Sequence, residues 1–350
     1  ISLYKEEYTY RFPTLLSREK KEDLFYIGED AYKKNLDGNV FLVDKLLSLF
    51  IKKGSATFSE RRYEAGELLG IFLESLLLEG ERRVAGRDIP EEEGKDVLVL
   101  SIRDVDVELL HRLHALLKEK FSLRYEITLI SHAESFLHYI LRQDKKFYNR
   151  QVGMLEFSSQ ILYYYEAQVS KGAKKYAVSV SEAQPDALSF GILEDPRGRK
   201  MTDQVLSGMI DRIVKGKVYS AFFLAGKGFE NTELFPEFMK KLLHGRRVLV
   251  ESFLFSIGAL YYGQLLGKGE EEEYLLLCDT RVNSDIVIRV SEKEREFPLY
   301  LAHAGDSFLK EGEDIHLLLD KQDYIDFQVQ DVRTQGKGKQ YRMNLTTFPK

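Results

Sequence analysis

The sequence predicts an α/β protein with a mixed sheet and helices packed on it, followed by a small all-β domain. Strands and helices alternate over residues 97–141, which is typical of an α/β sheet. An apolar strand at 221–225 runs directly into a Gly-Lys-Gly-Phe turn at 226–229. From residue 274 onward, short alternating segments replace the helical period, which indicates an all-β region.

Composition limits the class of protein. A chain of 350 residues with 44% hydrophobic and 31% charged residues is long enough for two or three domains. Its net charge of −5 provides no basic face for nucleic acid or an anionic membrane. No apolar run reaches the length of a membrane span. The single cysteine, Cys278, excludes an intrachain disulfide and a cysteine-based zinc cage, so we expect a reducing, cytoplasmic setting.

The N-terminal region is predicted to contain short strands followed by helices. We expect strands at 10–16 and 24–27 from their composition. The apolar run at 40–50 predicts a helix, and the apolar spacing over 57–78 predicts another. The chain begins at Ile1, without a methionine, in a segment typical of the interior of a domain. We therefore also expect a further segment upstream of Ile1.

The central region alternates regularly. Its expected strands are at 97–102, 125–130, 151–157, 160–169, 176–182, 221–225 and 247–250. Its expected helices are at 106–121, 132–141, 201–214 and 236–243, with a last one that carries Gly258 and Gly263. The three strands between 151 and 182 are expected to form a meander.

The C-terminal region is predicted to be a separate β domain. A run of four glutamates at 270–273 indicates a solvent-exposed hinge. Strands are expected at 274–278, 286–290, 297–302, 315–319, 324–332 and 340–345. The predicted domains are therefore 1–150, 151–269 and 270–350.

The order of these elements resembles the actin and DnaK-type chaperone superfamily, including a bacterial branch with a Gly-x-Gly-Phe turn. Leu-Glu-Phe-Ser-Ser at 155–159 stands where the chaperones carry Phe-Asp-Leu-Gly-Gly-Gly, their second phosphate loop. Leu-Ala-Gly-Lys-Gly-Phe at 224–229 is similar to their Val-Gly-Gly-Ser adenosine turn. Gly-Ala-Leu-Tyr-Tyr-Gly at 258–263 resembles the helix that closes their site, and Ser-His-Ala-Glu-Ser-Phe at 131–136 stands where a helix links their lobes. The resemblance implies a two-lobed, ribonuclease-H-like fold that is incomplete at its N-terminus.

The resemblance also implies a ligand and its contacts. ATP or ADP with magnesium would be the ligand, although the residues by themselves establish no cofactor. The implied cofactor-binding residues are Gly226, Lys227, Gly228, Phe229, Gly258 and Glu134. Glu156 is a weak catalytic candidate, since a carboxylate at that position would orient water or magnesium.

The departures from the superfamily pattern favour a degenerate site. The N-terminal Asp-Leu-Gly hairpin, which supplies the first phosphate loop, is absent from the sequence. Phe157, Ser158 and Ser159 replace the glycines that let backbone N–H groups wrap a phosphate.

Each candidate also has a plain structural interpretation. Glu156 could be a solvated acid at a strand end, Glu134 a surface helix residue, and the glycines at 226 and 228 a tight turn. No metal site is expected, because His132 and His138 flank Glu134 at spacings that do not suggest a metal-binding face.

Two functions follow from these observations. The first is an actin-like binding or scaffolding module, with or without weak residual nucleotide affinity. In a further version of it, the β domain binds a protein or peptide partner while the lobes are only structural. The alternative is an ATP-dependent, chaperone-like ATPase whose first phosphate loop lies upstream of Ile1.

Overall fold

The computed structural model describes residues 11–58, 61–84, 96–103, 106–158, 161–171, 175–186, 188, 190–293, 295–310, 312, 314–319, 323–332 and 338–345. The chain forms two compact units. The first is Ile1–Leu98 with Glu108–Ile127, and the second is Val99–Val107 with Thr128–Lys350. The boundary between them therefore falls inside two strands, within 96–102 and within 125–131.

The first part of the chain forms small sheets and helices. Its elements are β1 (Leu16–Glu19), β2 (Phe25–Ile27), α1 (Gly28–Leu36), β3 (Val40–Val43), α2 (Leu46–Ile51), β4 (Ser55–Phe58), β5 (Arg61–Glu64), α3 (Ala65–Val84), β6 (Asp96–Ile102), α4 (Val107–Phe121) and β7 (Tyr125–Ser131). Strands β2, β1 and β3 form one antiparallel sheet, β4 pairs with β5, and β6 with β7.

Three expectations for this region were wrong. The strand expected at 10–16 begins only at Leu16. The apolar run at 40–50 is not one helix, because β3 pairs with β1 and Asp44-Lys45 separates it from α2. The helix expected from residue 57 begins at Ala65, since β4 and β5 first form a hairpin. In the second and third cases a strand pairing outweighed a local apolar pattern.

The second unit is built on a six-stranded mixed sheet. Its remaining elements are α5 (His132–Leu141), β8 (Gln151–Phe157), β9 (Leu162–Lys171), β10 (Tyr176–Asp186), α6 (Pro196–Ile213), β11 (Tyr219–Ala225), α7 (Pro236–Leu242), β12 (Arg247–Val250), α8 (Leu254–Gly267) and β13 (Tyr274–Leu277). The strand order is β12-β11-β8-β9-β10-β13. Strands β8, β9 and β10 form the expected antiparallel meander, while β11, β12 and β13 join in parallel pairs.

Both faces of this sheet are covered by helices. Side chains alternate along a strand, so Met154 and Phe223 face one side, where they pack with α5 and α8. Leu155 and Phe222 face the other side, where they pack with α6 and α7. All seven residues of β11 are buried, as its continuous apolar sequence predicts.

The C-terminal region forms a separate four-stranded antiparallel sheet. Its strands are β14 (Ser284–Glu292), β15 (Arg295–Ala302), β16 (Tyr324–Asp331) and β17 (Lys339–Asn344), in the order β15-β14-β16-β17. Strand β13, expected in this domain, instead pairs with β10 of the larger sheet. The strand expected at 315–319 is absent, and that segment leaves Leu317 and Leu318 exposed without a ladder.

Helices α5 and α8 approach each other closely at Gly258. A Cβ atom at this position would lie 1.9 Å from the Ser135 carbonyl oxygen, so the crossing requires glycine. The helical Gly208, in α6, offers a contrast because a Cβ atom there meets nothing within 4 Å.

We expect Gly258→Ala to destabilise the protein by about 1–3 kcal/mol, the usual cost of overpacking. Gly208→Ala should instead stabilise it by up to about 1 kcal/mol, since alanine is the better helix former. Chemical denaturation of the two variants measures both effects. Equal stability changes would contradict the close helix crossing.

Candidate functional site

The glycine turn after β11 packs directly on the end of β8. Gly226 has a φ of +88°, and a Cβ atom there would lie 2.7 Å from the backbone of Phe157. A Cβ atom on Gly228 would lie 2.4 Å from the Phe157 ring. The Phe157 and Phe229 rings, both fully buried, meet edge to face at 6.0 Å. Both glycines therefore have a packing role that requires no ligand.

Glu156 is enclosed by protein groups. It is 2% exposed, so the interpretation as a solvated strand-end acid was wrong. The Arg103 guanidinium, which also lies over the Tyr163 ring at 4.4 Å, donates a hydrogen bond to Glu156 Oε1. Ser158 Oγ donates to the same oxygen at 2.5 Å, and His132 Nδ1 lies 3.7 Å from Oε2. Ser159 lies outside the described residues.

These neighbours determine the charge state of Glu156. Burial opposes ionisation, but His132, Arg103 and Ser158 together outweigh it, so the pKa of Glu156 lies below its ordinary value. The carboxylate is thus ionised at neutral pH, with an arginine as its counter-ion. A metal ion or a polarised water at Oε1 would have to compete with that guanidinium.

Glu134 is also buried, at 2% exposure, so the surface-helix interpretation was wrong. Ser131 caps α5 by accepting a hydrogen bond from the Glu134 backbone N–H at 3.0 Å. Arg281 donates from Nε to Glu134 Oε1 at 2.7 Å, and the Thr280 hydroxyl donates to Oε2. Arg281 also donates from Nη1 and Nη2 to the two oxygens of Glu272, at 2.7 and 2.8 Å.

The Arg281 pairing fixes the ionisation of this second cluster. Burial raises the pKa of Glu134, but Arg281, together with His138 and Thr280, more than offsets this and lowers the pKa to about 2. The pKa of Arg281 is raised, because the neighbouring carboxylates outweigh its own burial. Since the folded pKa of Glu134 lies below its ordinary 4.5, this stabilisation is present above pH 4.5 and is lost as the pH falls toward 2.

The residues suggested by the resemblance form two separate groups in the second unit. Glu156, Gly226, Gly228 and Phe229 meet at the ends of β8 and β11, with Lys227 exposed beside them. Glu134 and Gly258 belong instead to the α5–α8 crossing.

The sequence did not reveal the arginines that define both groups. Arg103 precedes Glu156 by 53 residues, and Arg281 follows Glu134 by 147. One local signal was available, the four-residue spacing of Glu134 and His138. This spacing places both side chains on one face of α5, whereas we expected these residues not to share a metal-binding face.

The chain belongs to a family described as "Family of unknown function (DUF5716) C-terminal", whose pattern matches residues 1–279. Residues 281–350 match a second description, "Domain of unknown function (DUF8552)". No curated protein matches the chain. In the described part of the chain, none of the helices has both the length and the apolar character that a membrane span needs.

Two solved structures of actin-like proteins show a distant likeness. MreB 5 of Spiroplasma citri bound to AMPPNP has a TM-score of 0.43 and 9% identity, over 74% of this chain and 90% of that one. A non-polymerisable quadruple mutant of pCBH ParM has a TM-score of 0.42 and 12% identity, and the match covers 71% of this chain and 86% of that one. Likenesses this distant carry no argument about function.

The Arg103–Glu156 pair allows a direct test. Arg103→Met leaves a buried carboxylate without its counter-ion and should cost about 3 kcal/mol at pH 7. Adding Glu156→Gln should recover much of that loss, since no buried charge then remains unpaired. Urea denaturation of the two single variants and the double variant gives the coupling energy.

Arg62→Met is the matched control. Arg62 pairs with Glu64, but both side chains are about two-thirds exposed, so the loss should stay below about 1 kcal/mol. Strictly additive effects of the Arg103 and Glu156 substitutions would rule out the buried pairing.

Proposed function

We propose that the chain is an actin-like module that binds or scaffolds other proteins and does not hydrolyse nucleotide. The order of its six-stranded sheet supports the actin-like assignment. A ribonuclease-H-like motif combines a three-stranded antiparallel meander with parallel strands added beside its first strand, and β8–β12 have this arrangement. The proposal keeps the division into 1–150, 151–269 and 270–350, except that β13 belongs to the larger sheet, and it keeps a cytoplasmic setting.

The packing of Phe157 against the glycine turn after β11 is the single observation that carries the non-catalytic assignment. Glycines in such a turn admit a ligand only where the space beside their backbone is open. Here the Phe157 ring fills the space beside Gly228. The backbone of Phe157 fills the space beside Gly226. The neighbouring acid, Glu156, is neutralised by Arg103. Neither the cradle nor the carboxylate is then available for phosphoryl transfer.

Calorimetric titration with ATP and magnesium tests this proposal. We expect weak or undetectable binding and no phosphate release in the wild-type chain. Glu156→Gln should leave both results unchanged, because the carboxylate has no catalytic role. Micromolar binding with turnover that Glu156→Gln abolishes would establish the ATPase instead.

The C-terminal sheet is proposed as the surface that binds a protein or peptide partner. Cross-strand partners share a face, so its register places a set of apolar side chains together on one face. That set is Ile286, Ile288, Val290, Phe297, Leu299, Ile325, Phe327, Val329, Tyr341 and Met343. The opposite face carries polar residues such as Arg289, Asp326 and Gln340.

The apolar face is only partly covered within the described residues. Phe297, Tyr341 and Met343 are 41, 53 and 40% exposed, respectively, and they lie on the two edge strands, β15 and β17. Exposed apolar side chains that are contiguous on one sheet face are typical of a protein-binding surface. This geometry favours an apolar segment of a partner protein.

Two adjacent positions of β17 provide a matched pair of variants. Tyr341→Arg charges the apolar face, whereas Gln340→Arg places the same charge on the opposite face of the same exposed strand. Cross-linking in cells that express the tagged chain should recover a defined partner with wild type and Gln340→Arg. Tyr341→Arg should lose it at least tenfold, the effect of about 1.4 kcal/mol at a buried contact. Equal recovery with both variants would place the partner elsewhere.

A further inference from the structure

A buried histidine on α5 has no hydrogen-bond partner for its Nε2 atom among the described residues. His138 is 6% exposed, and its ring stacks on Tyr262 at 4.4 Å. Its Nε2 atom lies 3.6 Å from Glu134 Oε1 and 3.8 Å from Glu272 Oε1, beyond hydrogen-bond distance in both cases. A buried polar atom that faces two carboxylates without bonding to either needs an explanation.

The separations of these atoms fit a metal ion. The three potential ligand atoms all lie within 4.8 Å of one another. Ligands at about 2.1 Å from a tetrahedral metal ion are about 3.4 Å apart, close to the 3.6 and 3.8 Å observed. A cation between them would contact Nε2 and both carboxylates with only small movements.

The charge balance of the cluster also favours a cation. Glu134 and Glu272 contribute two negative charges, and Arg281 contributes one positive charge. These three side chains together carry a net charge of −1 in a largely buried position, which is unfavourable without compensation. A bound cation on the His138 side supplies that compensation.

Arg281 holds the same two carboxylate oxygens that face the histidine, Oε1 of Glu134 and Oε1 of Glu272. It donates to one oxygen of Glu134 and to both oxygens of Glu272, while Thr280 holds the other Glu134 oxygen. Carboxylates that ligate metals are commonly held in this way by outer hydrogen-bond donors. Glu272 Oε1 accepts from Arg281 Nη2 and keeps a second lone pair, whereas a cation at Glu134 Oε1 would share that oxygen with Nε and Nη2 of the guanidinium.

A cavity provides access to the cluster. Its volume is about 400 Å³, and it is lined by His138, Arg142, Tyr261, Tyr274 and the glutamates at 270–273, among other residues. Glu270, Glu271 and Glu273 are exposed around it, so the approach carries negative charge. Such an approach concentrates cations near the cluster.

We propose that Glu134, His138 and Glu272 bind a divalent transition-metal ion such as Zn²⁺. One imidazole nitrogen with two carboxylates suits zinc or manganese better than magnesium, which prefers oxygen ligands alone. The site ties α5 to the segment that leads into the C-terminal domain, independently of any nucleotide function.

Calorimetric titration of the chelator-treated full chain with Zn²⁺ tests this proposal. We expect one site in the wild type, and a rise in thermal stability on metal addition. Loss of outer-shell partners usually weakens metal binding 10- to 100-fold, so loss of the direct ligand in Glu272→Gln or His138→Gln should cost about 100-fold or more. Mg²⁺ should bind more weakly than Zn²⁺.

Neighbouring residues supply the controls. Glu271→Gln removes the same charge one residue away, from a side chain that is 94% exposed, and should bind Zn²⁺ like the wild type. The Glu272 side chain is 24% exposed, more than that of His138, so Glu272→Gln keeps the test valid even if His138→Gln misfolds. Mn²⁺ bound to the wild type should show nitrogen hyperfine coupling by pulsed EPR, and this coupling should disappear in His138→Gln.

Several results would overturn the proposal. The first is the absence of a stoichiometric site in the wild type. Equal losses in Glu271→Gln and Glu272→Gln would mean that the glutamate run binds metal only diffusely. A Mn²⁺ signal without nitrogen coupling would exclude His138 as a ligand.

Discussion

The second unit depends on one buried guanidinium. Arg281 joins the helix α5, through Glu134, to the glutamate run, through Glu272, and it also donates to the Gly305 carbonyl oxygen of the C-terminal region. Ion pairs buried this deeply contribute little net stability, but removal of one partner leaves a charge that nothing else satisfies. The arrangement therefore specifies position more than it adds stability. Three segments far apart in the sequence can satisfy Arg281 only in one relative placement.

The glycines of this chain show why a ligand site is hard to recognise from sequence. A glycine that lets a phosphate approach the backbone and a glycine that lets a phenylalanine ring approach it have the same local pattern. At 226 and 228 the approaching group is Phe157, and at 258 it is the Ser135 carbonyl. A packed side chain or carbonyl group thus requires of glycine the same free space that a ligand would require.

Sequence patterns predicted the central region well and the ends poorly. Strand β12 and helix α5 both match their expected bounds. For the ten-residue α5 the reason is that a segment with a clear helical period depends mainly on local burial. The segments at 40–50 and 315–319 were misassigned, since only pairing with a distant strand decides whether a short apolar run is a strand. For the same reason, the burial of Glu156 could not be foreseen. Its counter-ion, Arg103, comes directly after the distant strand β6, and no local feature of the sequence marks that pairing.

The placement of β13 has a mechanical consequence. The chain reaches the C-terminal domain through a strand that is hydrogen-bonded to β10 in parallel register from Tyr274 to Leu277. A force applied to that domain along the strand direction would load these backbone pairs together, in shear, instead of opening them one by one. The domain is thus anchored to the large sheet by a clamp that resists tension, and a tethered partner would pull on the core of the second unit itself.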